Sequence, residues 1–322
     1  MHNPPEIAFD DPMFDLVGHT PLVPLPRLFE NTKGIEVFAK LEYFNPSGSI
    51  KDRIVAHILQ DAIARGALRP GGTVVEATSG NTGASLALFC ARLGCRLVLT
   101  TPAKTSEEKQ DYMRMLGAEL LICPAASYGS PDHYQMRAAQ IARETSGAFW
   151  VNQYENPKNA EAHYRTTGPE IWAQMRGKVD WFVTAGSTGG TVTGVSRYLK
   201  ERDPNIRVLL PDPTGSVLYG YIKTGAVNPA DAAPYQVEGV GKDHVPGVMD
   251  AREIDDAMQY TDAAAFDMCR RCARTEGVFP GLSAGGNLIG VEWLMDRLPG
   301  PARIVTLIQD SGTHYLSKFF RN

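Results

Sequence analysis

The stretch Asn45-Pro46-Ser47-Gly48-Ser49-Ile50-Lys51-Asp52-Arg53 joins a turn to a helix around a single lysine. The apolar residues that follow it recur at helical spacing, at Ile54, Ile58, Leu59, Ala62 and Ile63. This pattern predicts that a helix begins near Lys51, where the positive end of the helix dipole disfavours an ammonium group. Burial acts in the same direction, so we expect Lys51 to present a neutral, nucleophilic amine. The alternative is that Lys51 is an ordinary surface lysine in a turn. Three further stretches of the sequence decide between a reactive and a surface lysine.

The composition of the chain narrows the classes of function. With 322 residues, 43% of them hydrophobic and 21% charged, the chain is long enough for two domains or one large one. Its formal net charge of -4 provides no polybasic surface, so we expect neither nucleic acid nor a membrane as a partner. The N-terminus lacks the residue order of a signal peptide, and no apolar run is long enough to span a bilayer. We therefore expect a cytoplasmic enzyme that acts on small molecules.

Five cysteines are scattered through predicted helices and strands, which indicates reduced thiols rather than a disulfide framework. Cys269 and Cys272 form a CxxC pair, but no second pair or nearby histidine completes a zinc site. We expect two thiols on one helix face and no bound metal.

Predicted strands and helices alternate along most of the chain. Apolar runs predict strands at residues 35–41, 73–76, 96–101, 119–122, 149–152, 181–184, 206–210 and 303–309. Helical spacing predicts helices at residues 84–93, 106–116, 133–145, 157–177, 263–276 and 284–297, and others after Lys51, after Thr191 and at the end of the chain. Residues 1–34 form an irregular arm, and residues 211–248 are loop and short turns. This rhythm predicts an α/β protein with two parallel sheets, with ligands in the cleft between them.

Thr78-Ser79-Gly80-Asn81-Thr82-Gly83, here called the hydroxyl loop (residues 78–83), lies between a predicted strand and a predicted helix. Its glycines allow close approach of the backbone, and hydroxyls with N–H groups at a helix start can bind a carboxylate. The Asn81 amide could hydrogen-bond a ring oxygen. The alternative is an ordinary capped helix start.

Gly186-Ser187-Thr188-Gly189-Gly190-Thr191, here called the glycine loop (residues 186–191), also follows a predicted strand and precedes a helix. Its backbone N–H groups can turn inward around a phosphate, and the helix dipole adds to the attraction. The loop is neither G-x-G-x-x-G nor a P-loop, so we expect a phosphate but neither a dinucleotide nor ATP. The alternative is a tight turn between strand and helix.

Two strand ends complete the set of candidate residues. Ser311, in Asp310-Ser311-Gly312, offers a neutral hydroxyl. If this hydroxyl faced the pyridine nitrogen of a bound ring, it would leave that nitrogen unprotonated, whereas the Asp310 carboxylate would hold it protonated. Side chains alternate along a strand, so only one of the two residues can point into the cleft. Gln153, at the end of an earlier strand, offers an amide to a carboxylate.

Together these stretches resemble the fold-type II, pyridoxal-phosphate-dependent enzymes of the cysteine synthase and cystathionine β-synthase family. The likeness runs from Gly18-His19-Thr20-Pro21-Leu22 to Ser311. It implies that Lys51 forms the Schiff base with pyridoxal 5'-phosphate and carries the proton. It further implies that Asn81 contacts the 3-hydroxyl and Ser311 the pyridine nitrogen. The phosphate would be held by Ser187, Thr188, Gly189, Gly190 and Thr191, and the substrate carboxylate by Thr78, Ser79, Gly80, Thr82 and Gln153.

The resemblance also implies a domain division and a homodimer. Residues 46–154 would form a smaller, mobile domain, and residues 1–45 with 155–322 the larger domain that binds the cofactor phosphate. Segments such as Thr105-Ser106-Glu107-Glu108-Lys109 and Glu238-Gly239-Val240-Gly241 look closer to the catalytic core of cystathionine β-synthase. We expect neither the tandem regulatory domain nor the haem-binding segment of some members. Ser187 stands where glycine is usual, and Lys242 stands where an aromatic or small residue is common.

The activity that this resemblance implies is β-replacement. L-Serine, or serine with an acetyl or phosphoryl leaving group, would give an α-aminoacrylate, to which a thiol such as homocysteine adds. Three alternatives remain open: an amine nucleophile, β-elimination from serine or threonine, and a cofactor-binding protein without turnover. The sequence does not separate them, because the residues that would meet the second substrate lie within the loop 211–248.

Overall fold

The computed structural model of the protein describes residues 11–30 and 33–320. Its ten strands in this part of the chain are β1 (Leu22–Pro24), β2 (Glu36–Leu41), β3 (Thr73–Ala77), β4 (Arg96–Pro102), β5 (Glu119–Cys123), β6 (Phe149–Trp150), β7 (Trp181–Val183), β8 (Arg207–Pro213), β9 (Asp256–Tyr260) and β10 (Arg303–Ile308). The first six helices are α1 (Pro12–Asp15), α2 (Lys51–Ala64), α3 (Asn81–Leu93), α4 (Glu107–Met115), α5 (Tyr134–Glu144) and α6 (Lys158–Arg165). The other six are α7 (Thr167–Gln174), α8 (Gly190–Lys200), α9 (Leu218–Thr224), α10 (Asp262–Glu276), α11 (Leu282–Arg297) and α12 (Leu316–Phe320).

The strands form two sheets, as the alternating pattern predicts. The larger sheet has the order β1-β2-β10-β7-β8-β9 and is parallel except for the antiparallel pair β1 and β2. The smaller sheet has the order β5-β4-β3-β6 and is parallel throughout. The predicted α/β class with two parallel sheets is therefore confirmed. All four strands of the smaller sheet lie within residues 46–154, whereas the mobility of that region stays a prediction.

Helices cover both faces of each sheet, which explains why the strands are apolar on both sides. Along β10, Ile304 and Ile308 pack into one core with α10 and α11, while Val305 and Leu307 pack into another with α7 and α8. The same alternation occurs in β3, where Val74 packs with α2 and α3 and its neighbour packs with α5. Side chains that alternate along a strand thus enter different cores.

One predicted helix is two helices in the structure. Residues 157–177 contain α6 and α7, with a break at Thr166, whose φ is -123° and ψ is -66°. Pro169 explains the break, because its ring would collide with a carbonyl one turn earlier in a continuous helix. As the third residue of α7 it lies in the first turn, where a missing N–H is tolerated.

Other predictions were incomplete. Within the predicted arm, residues 1–10, 31 and 32 lie outside the described residues, and the rest contains α1 and β1. The predicted loop 211–248 contains the end of β8 and the helix α9, and β9 has no counterpart among the predicted strands. Ser106 does precede α4, but its hydroxyl donates to the carbonyl oxygen of His314 (2.9 Å) and does not cap the helix. Cys269 and Cys272 are buried, free thiols on α10.

In the described part of the chain, none of the helices combines the length and the hydropathy that a membrane span requires.

Candidate active site

Lys51 is the first residue of α2, where the turn before it meets the end of β10. The turn requires Gly48, whose φ is +82°. The N–H of Ile50 donates to the carbonyl oxygen of Gln309 (2.8 Å), which fixes the turn to the larger sheet. Ser49 Oγ accepts the N–H of Lys51 (3.2 Å). The start of α2 thus lies between the two sheets, as the sequence predicts.

The Lys51 amine loses its proton more easily than an exposed lysine does. Burial lowers its pKa to about 8, the Asp310 carboxylate opposes this shift, and the nearby Lys109 ammonium adds to it. Among the described residues, none accepts a hydrogen bond from the Lys51 amine. A buried, unpartnered amine with a lowered pKa is suited to attack a carbonyl carbon.

Lys51 borders two adjoining cavities of about 450 and 310 Å³. Both cavities are lined by Lys51, Ser187, Thr188, Gly239 and Gln309. The first cavity extends to the hydroxyl loop and Gln153, and the second ends at the glycine loop. The lysine and both loops, which the sequence predicts to act together, therefore meet around one space.

The glycine loop connects β7 to the first residue of α8. Its tight course depends on glycine, because Gly189 has a φ of +83° and a Cβ there would lie 2.7 Å from the Cα of Met249. A Cβ at Gly190 would collide with the Asn159 side chain, whose Nδ2 donates to Thr188 Oγ1 (3.0 Å). Glycine thus lets the loop pack closely against Met249 and Asn159. The backbone N–H groups at the start of α8 can then bind a phosphate.

A buried histidine supports the same loop. His163 Nε2 lies 3.1 Å from Thr191 Oγ1, and burial, aided by the Lys51 charge, lowers its pKa well below the ordinary value. The ring is therefore neutral and fixes the Thr191 hydroxyl without adding charge. The sequence analysis missed both His163 and Asn159, since each comes from α6 and reaches the loop only in the folded chain.

The hydroxyl loop is braced from within. Thr78 Oγ1 accepts the N–H groups of Gly80 (3.0 Å) and Gly83 (3.2 Å). Thr82 Oγ1 donates to Gln153 Oε1 (2.7 Å), and Gln153 Nε2 donates to a backbone carbonyl of β3 (2.8 Å). Within the described ranges, the N–H groups of Asn81 and Thr82 at the start of α3 have no acceptor. Thr78, Ser79, Asn81, Thr82 and Gln153 all line the first cavity, whereas Gly80 shapes the loop behind it with a φ of +136°.

The structure corrects the assignment of Ser311. Its hydroxyl accepts hydrogen bonds from Thr313 N (3.2 Å) and Thr313 Oγ1 (2.9 Å), and it lines neither cavity. The reason is that β10 ends at Ile308, after which the chain leaves the sheet and Ser311 begins a 3-10 turn. Asp310 is fully buried and lines neither cavity, and its Oδ2 accepts from Asn81 Nδ2 (2.8 Å).

Ser283 supplies a hydroxyl on the cavity wall where the sequence predicts Ser311. It is the second residue of α11, only 3% exposed, and lines the first cavity together with Lys51. The Asp310 side chain is instead held away by the Tyr315 hydroxyl (2.5 Å) and by Asn81. The sequence signal for Ser283 was weak, because Gly281-Leu282-Ser283 resembles any helix start.

Lys109 is a second lysine on the first cavity that the sequence analysis did not single out. It is 3% exposed, and its Nζ donates to the Tyr315 hydroxyl (2.5 Å). The carboxylates of Glu238 and Asp310 lie 3.5 and 3.6 Å away. Unlike Lys51, this amine is fully engaged by acids and a phenol, so it is a charged brace and not a free nucleophile.

These residues fit pyridoxal phosphate. The glycine loop suits a phosphate because it lines the second cavity at the start of α8, whose positive end attracts an anion. The first cavity is lined by the free amine of Lys51, which suits an aldehyde, and by the neutral side chains of Asn81 and Ser283, which suit a ring. The hydroxyl loop at the start of α3 lines the same cavity and suits a carboxylate.

Comparison with known proteins agrees with this chemistry. Residues 13–310 match the family model described as pyridoxal-phosphate dependent enzyme. The chain is 40% identical to cysteine synthase 1 of Neurospora crassa over 307 residues, which cover 94% of this chain and 81% of that protein. It is 38% identical to the cystathionine β-synthase of Apis mellifera over 306 residues, which cover 94% of this chain and 60% of that protein. The solved structure of an O-ureido-L-serine synthase variant with O-ureido-L-serine bound has a TM-score of 0.87 at 34% identity, over 95% of this chain and 92% of that one.

The resemblance seen in the sequence is thereby confirmed, and so is its cofactor. The sequence identities to cysteine synthase and to cystathionine β-synthase are nearly equal. The closer resemblance to the catalytic core of cystathionine β-synthase therefore stays a prediction. The chain belongs to the family of pyridoxal-phosphate-dependent enzymes that includes these two relatives.

Proposed function

We propose that this pyridoxal-phosphate-dependent β-replacement enzyme exchanges the β-substituent of L-serine, or of an O-acetylated or O-phosphorylated serine, for a thiol nucleophile. One observation carries the proposal: the free amine of Lys51, the hydroxyl loop and the glycine loop border a shared space. The names of both relatives, cysteine synthase and cystathionine β-synthase, support a sulfur nucleophile.

The cofactor would be held at four points. The glycine loop, through Ser187, Thr188, Gly189, Gly190 and Thr191, binds the phosphate, and Lys51 holds the aldehyde carbon. Asn81 offers its amide to the ring oxygen, and Ser283, rather than Ser311, offers a hydroxyl to the ring nitrogen. Pyridoxal phosphate supplies an electron-poor ring that stabilises negative charge at the α-carbon of a bound amino acid.

The donor amino acid would be bound by its carboxylate in the hydroxyl loop. The free N–H groups of Asn81 and Thr82 lie at the positive end of α3, which favours an anion. The Thr78 and Gln153 side chains are already engaged in the loop, so their role is to fix its shape, while the Ser79 hydroxyl remains able to donate. The α-carbon would then lie beside Lys51, whose neutral amine would remove the α-proton and whose resulting ammonium would return it.

Closure of the smaller domain would exclude water during the reaction. Side-chain polar contacts join the smaller sheet's helices to the C-terminal segment, among them Asn81 to Asp310 (2.8 Å) and Ser106 to His314 (2.9 Å). Such contacts, made by side chains at the edge of the cleft, support a region that opens for substrate and closes around it.

We also propose that the enzyme is a homodimer in the cytoplasm. Phe44, just before the lysine turn, is 59% exposed and stacks on Tyr43, and this apolar surface suits a contact with a second copy. Light scattering of the purified protein tests the dimer, and a monomer at working concentration would contradict it.

A second candidate function replaces the thiol by an amine or a related nitrogen compound. The observation in its favour is the similarity to O-ureido-L-serine synthase, whose solved structure holds O-ureido-L-serine. Both candidates share the donor half of the reaction and therefore the same site residues.

The test is a matrix of donors and nucleophiles with purified holoenzyme. L-Serine, O-acetyl-L-serine and O-phospho-L-serine are each combined with homocysteine, sulfide and hydroxyurea, and products are identified by mass spectrometry. We expect products with the thiol or sulfide. Products with hydroxyurea alone would favour the second candidate, and no product from any pair would refute both.

A further inference from the structure

Lys242 is a buried cation that the site described so far does not use. It is 6% exposed and follows Gly241, whose N–H donates to the carbonyl oxygen of Gly186 in the glycine loop (2.7 Å). The backbone of Lys242 is fixed by Ser216 Oγ, which accepts its N–H (2.9 Å). This residue is therefore held firmly at the edge of the cofactor site.

Among the residues that the structure describes, the Lys242 ammonium has one hydrogen-bond partner. Of its three N–H donors, one is accepted by the Tyr134 hydroxyl (3.1 Å), and the charge lies 4.5 Å from the centre of the Tyr154 ring. No carboxylate in the described part of the chain lies within ion-pair distance of this nitrogen. The adjacent Asp243 is paired with His244 Nδ1 (2.8 Å). A buried charge without a counter-ion costs free energy unless a ligand supplies one.

A second unmatched donor lies beside it. The Tyr134 hydroxyl also accepts from Gln135 Nε2 (3.2 Å) and lies 2.9 Å from the Tyr154 hydroxyl, and either of these two hydroxyls can donate to the other. When Tyr134 donates, the proton of Tyr154 has no acceptor among the described residues. This residue is 5% exposed and lines the same cavity as Lys51.

We propose that Lys242 and Tyr154 form a subsite for an anionic oxygen group on a substrate. The two unmatched donor groups and the positive charge all favour an acceptor that is itself negative. The group is either the carboxylate of the nucleophile or the phosphate leaving group of the donor, because Tyr154 lines the cavity that also borders the hydroxyl loop and the Lys242 ammonium lies 4.5 Å from the centre of the Tyr154 ring. The inference rests on the proposed function, which it deepens by naming the charge of the second substrate or of the leaving group.

The experiment compares Lys242→Met, Lys242→Arg and wild-type holoenzyme. Lys178→Met is the control, since Lys178 is exposed and precedes β7, at the opposite end of the strand from the glycine loop. One arm pairs O-acetyl-L-serine with 3-mercaptopropionate or with the neutral 2-mercaptoethanol. The other arm pairs 2-mercaptoethanol with O-phospho-L-serine or with O-acetyl-L-serine. Calorimetry with 3-(methylthio)propionate and with inorganic phosphate measures binding without turnover.

In each arm, the measured quantity is kcat/KM with the anionic substrate divided by kcat/KM with the neutral one. Lys242→Met should lower this ratio by on the order of 10- to 100-fold in one of the two arms. That arm identifies the source of the anion, Lys242→Arg should restore most of the ratio, and Lys178→Met should change nothing. Equal losses with charged and neutral partners, or unchanged binding of both probes, would overturn the inference and indicate that ionised Tyr134 neutralises the lysine internally. If no donor and nucleophile react in wild type, the proposed function fails, and the calorimetry alone then decides the subsite.

Discussion

Replacing Gly189 by alanine should release the cofactor from a protein that still folds. Gly189 has a φ of +83°, a conformation that costs an L-residue roughly 1–2 kcal/mol. The new Cβ would also lie 2.7 Å from the Met249 backbone, and such overpacking costs about 1–3 kcal/mol. The loop can relieve both by moving, which turns its N–H groups away from the phosphate. A total of roughly 2–5 kcal/mol corresponds to cofactor binding weakened about 30-fold to more than 1,000-fold.

Gly94→Ala is the matched control for this prediction. Gly94 ends α3 with a φ of +63°, and a Cβ there would meet no atom within 4 Å. It therefore carries the conformational cost without the collision, and it lies far along α3 from the hydroxyl loop. Apo-protein is titrated with pyridoxal phosphate while visible absorption is followed, and urea unfolding measures stability. Wild-type cofactor affinity in Gly189→Ala, or an equal loss in both variants, would refute the reasoning.

Three further predictions concern the pKa of Lys51, the buried ion pair of Arg53, and the choice between Ser283 and Ser311. Because burial lowers the Lys51 pKa to about 8, the rate at which apo-protein captures pyridoxal phosphate should rise about tenfold per pH unit below 8 and level off above it; a flat profile would contradict this. Arg53→Met should reduce the free energy of unfolding by about 3–5 kcal/mol, since it leaves buried Glu42 (2.6 Å away) unpaired; a loss under about 1 kcal/mol in urea unfolding would be the contrary result. Ser283→Ala should lower kcat/KM by about three- to tenfold, whereas Ser311→Ala should not, and the reverse order would restore the original assignment.

The fold was largely predictable because its strands are buried on both faces. Continuous apolar runs separated by helical spacing indicate parallel sheets, and the helix that begins at Lys51 was visible from the spacing of its apolar residues. The strand β9 was missed because Asp256-Ala257-Met258-Gln259-Tyr260 is a sheet-edge segment with few β-branched residues. Its strand character comes from pairing with β8, which no local pattern reveals.

The loops of the site were predictable, but their supports were not. Glycines and hydroxyls before a helix have a local physical meaning, so both loops could be located from the chain alone. The choice between Ser283 and Ser311 depends on where β10 ends and how the chain turns afterwards. The partners of Lys109, at Glu238, Asp310 and Tyr315, are more than a hundred residues distant in sequence. Only the folded chain brings these groups together.

Lys51 and Lys109 both line the first cavity, and we propose that Lys51 is the one that binds the cofactor. Holoenzyme reduced with borohydride, digested and examined by mass spectrometry identifies the lysine that carries the pyridoxyl group. We predict the label on Lys51, whose amine is free and whose pKa is lowered to about 8. A label on Lys109, which is held by acidic partners, would contradict it.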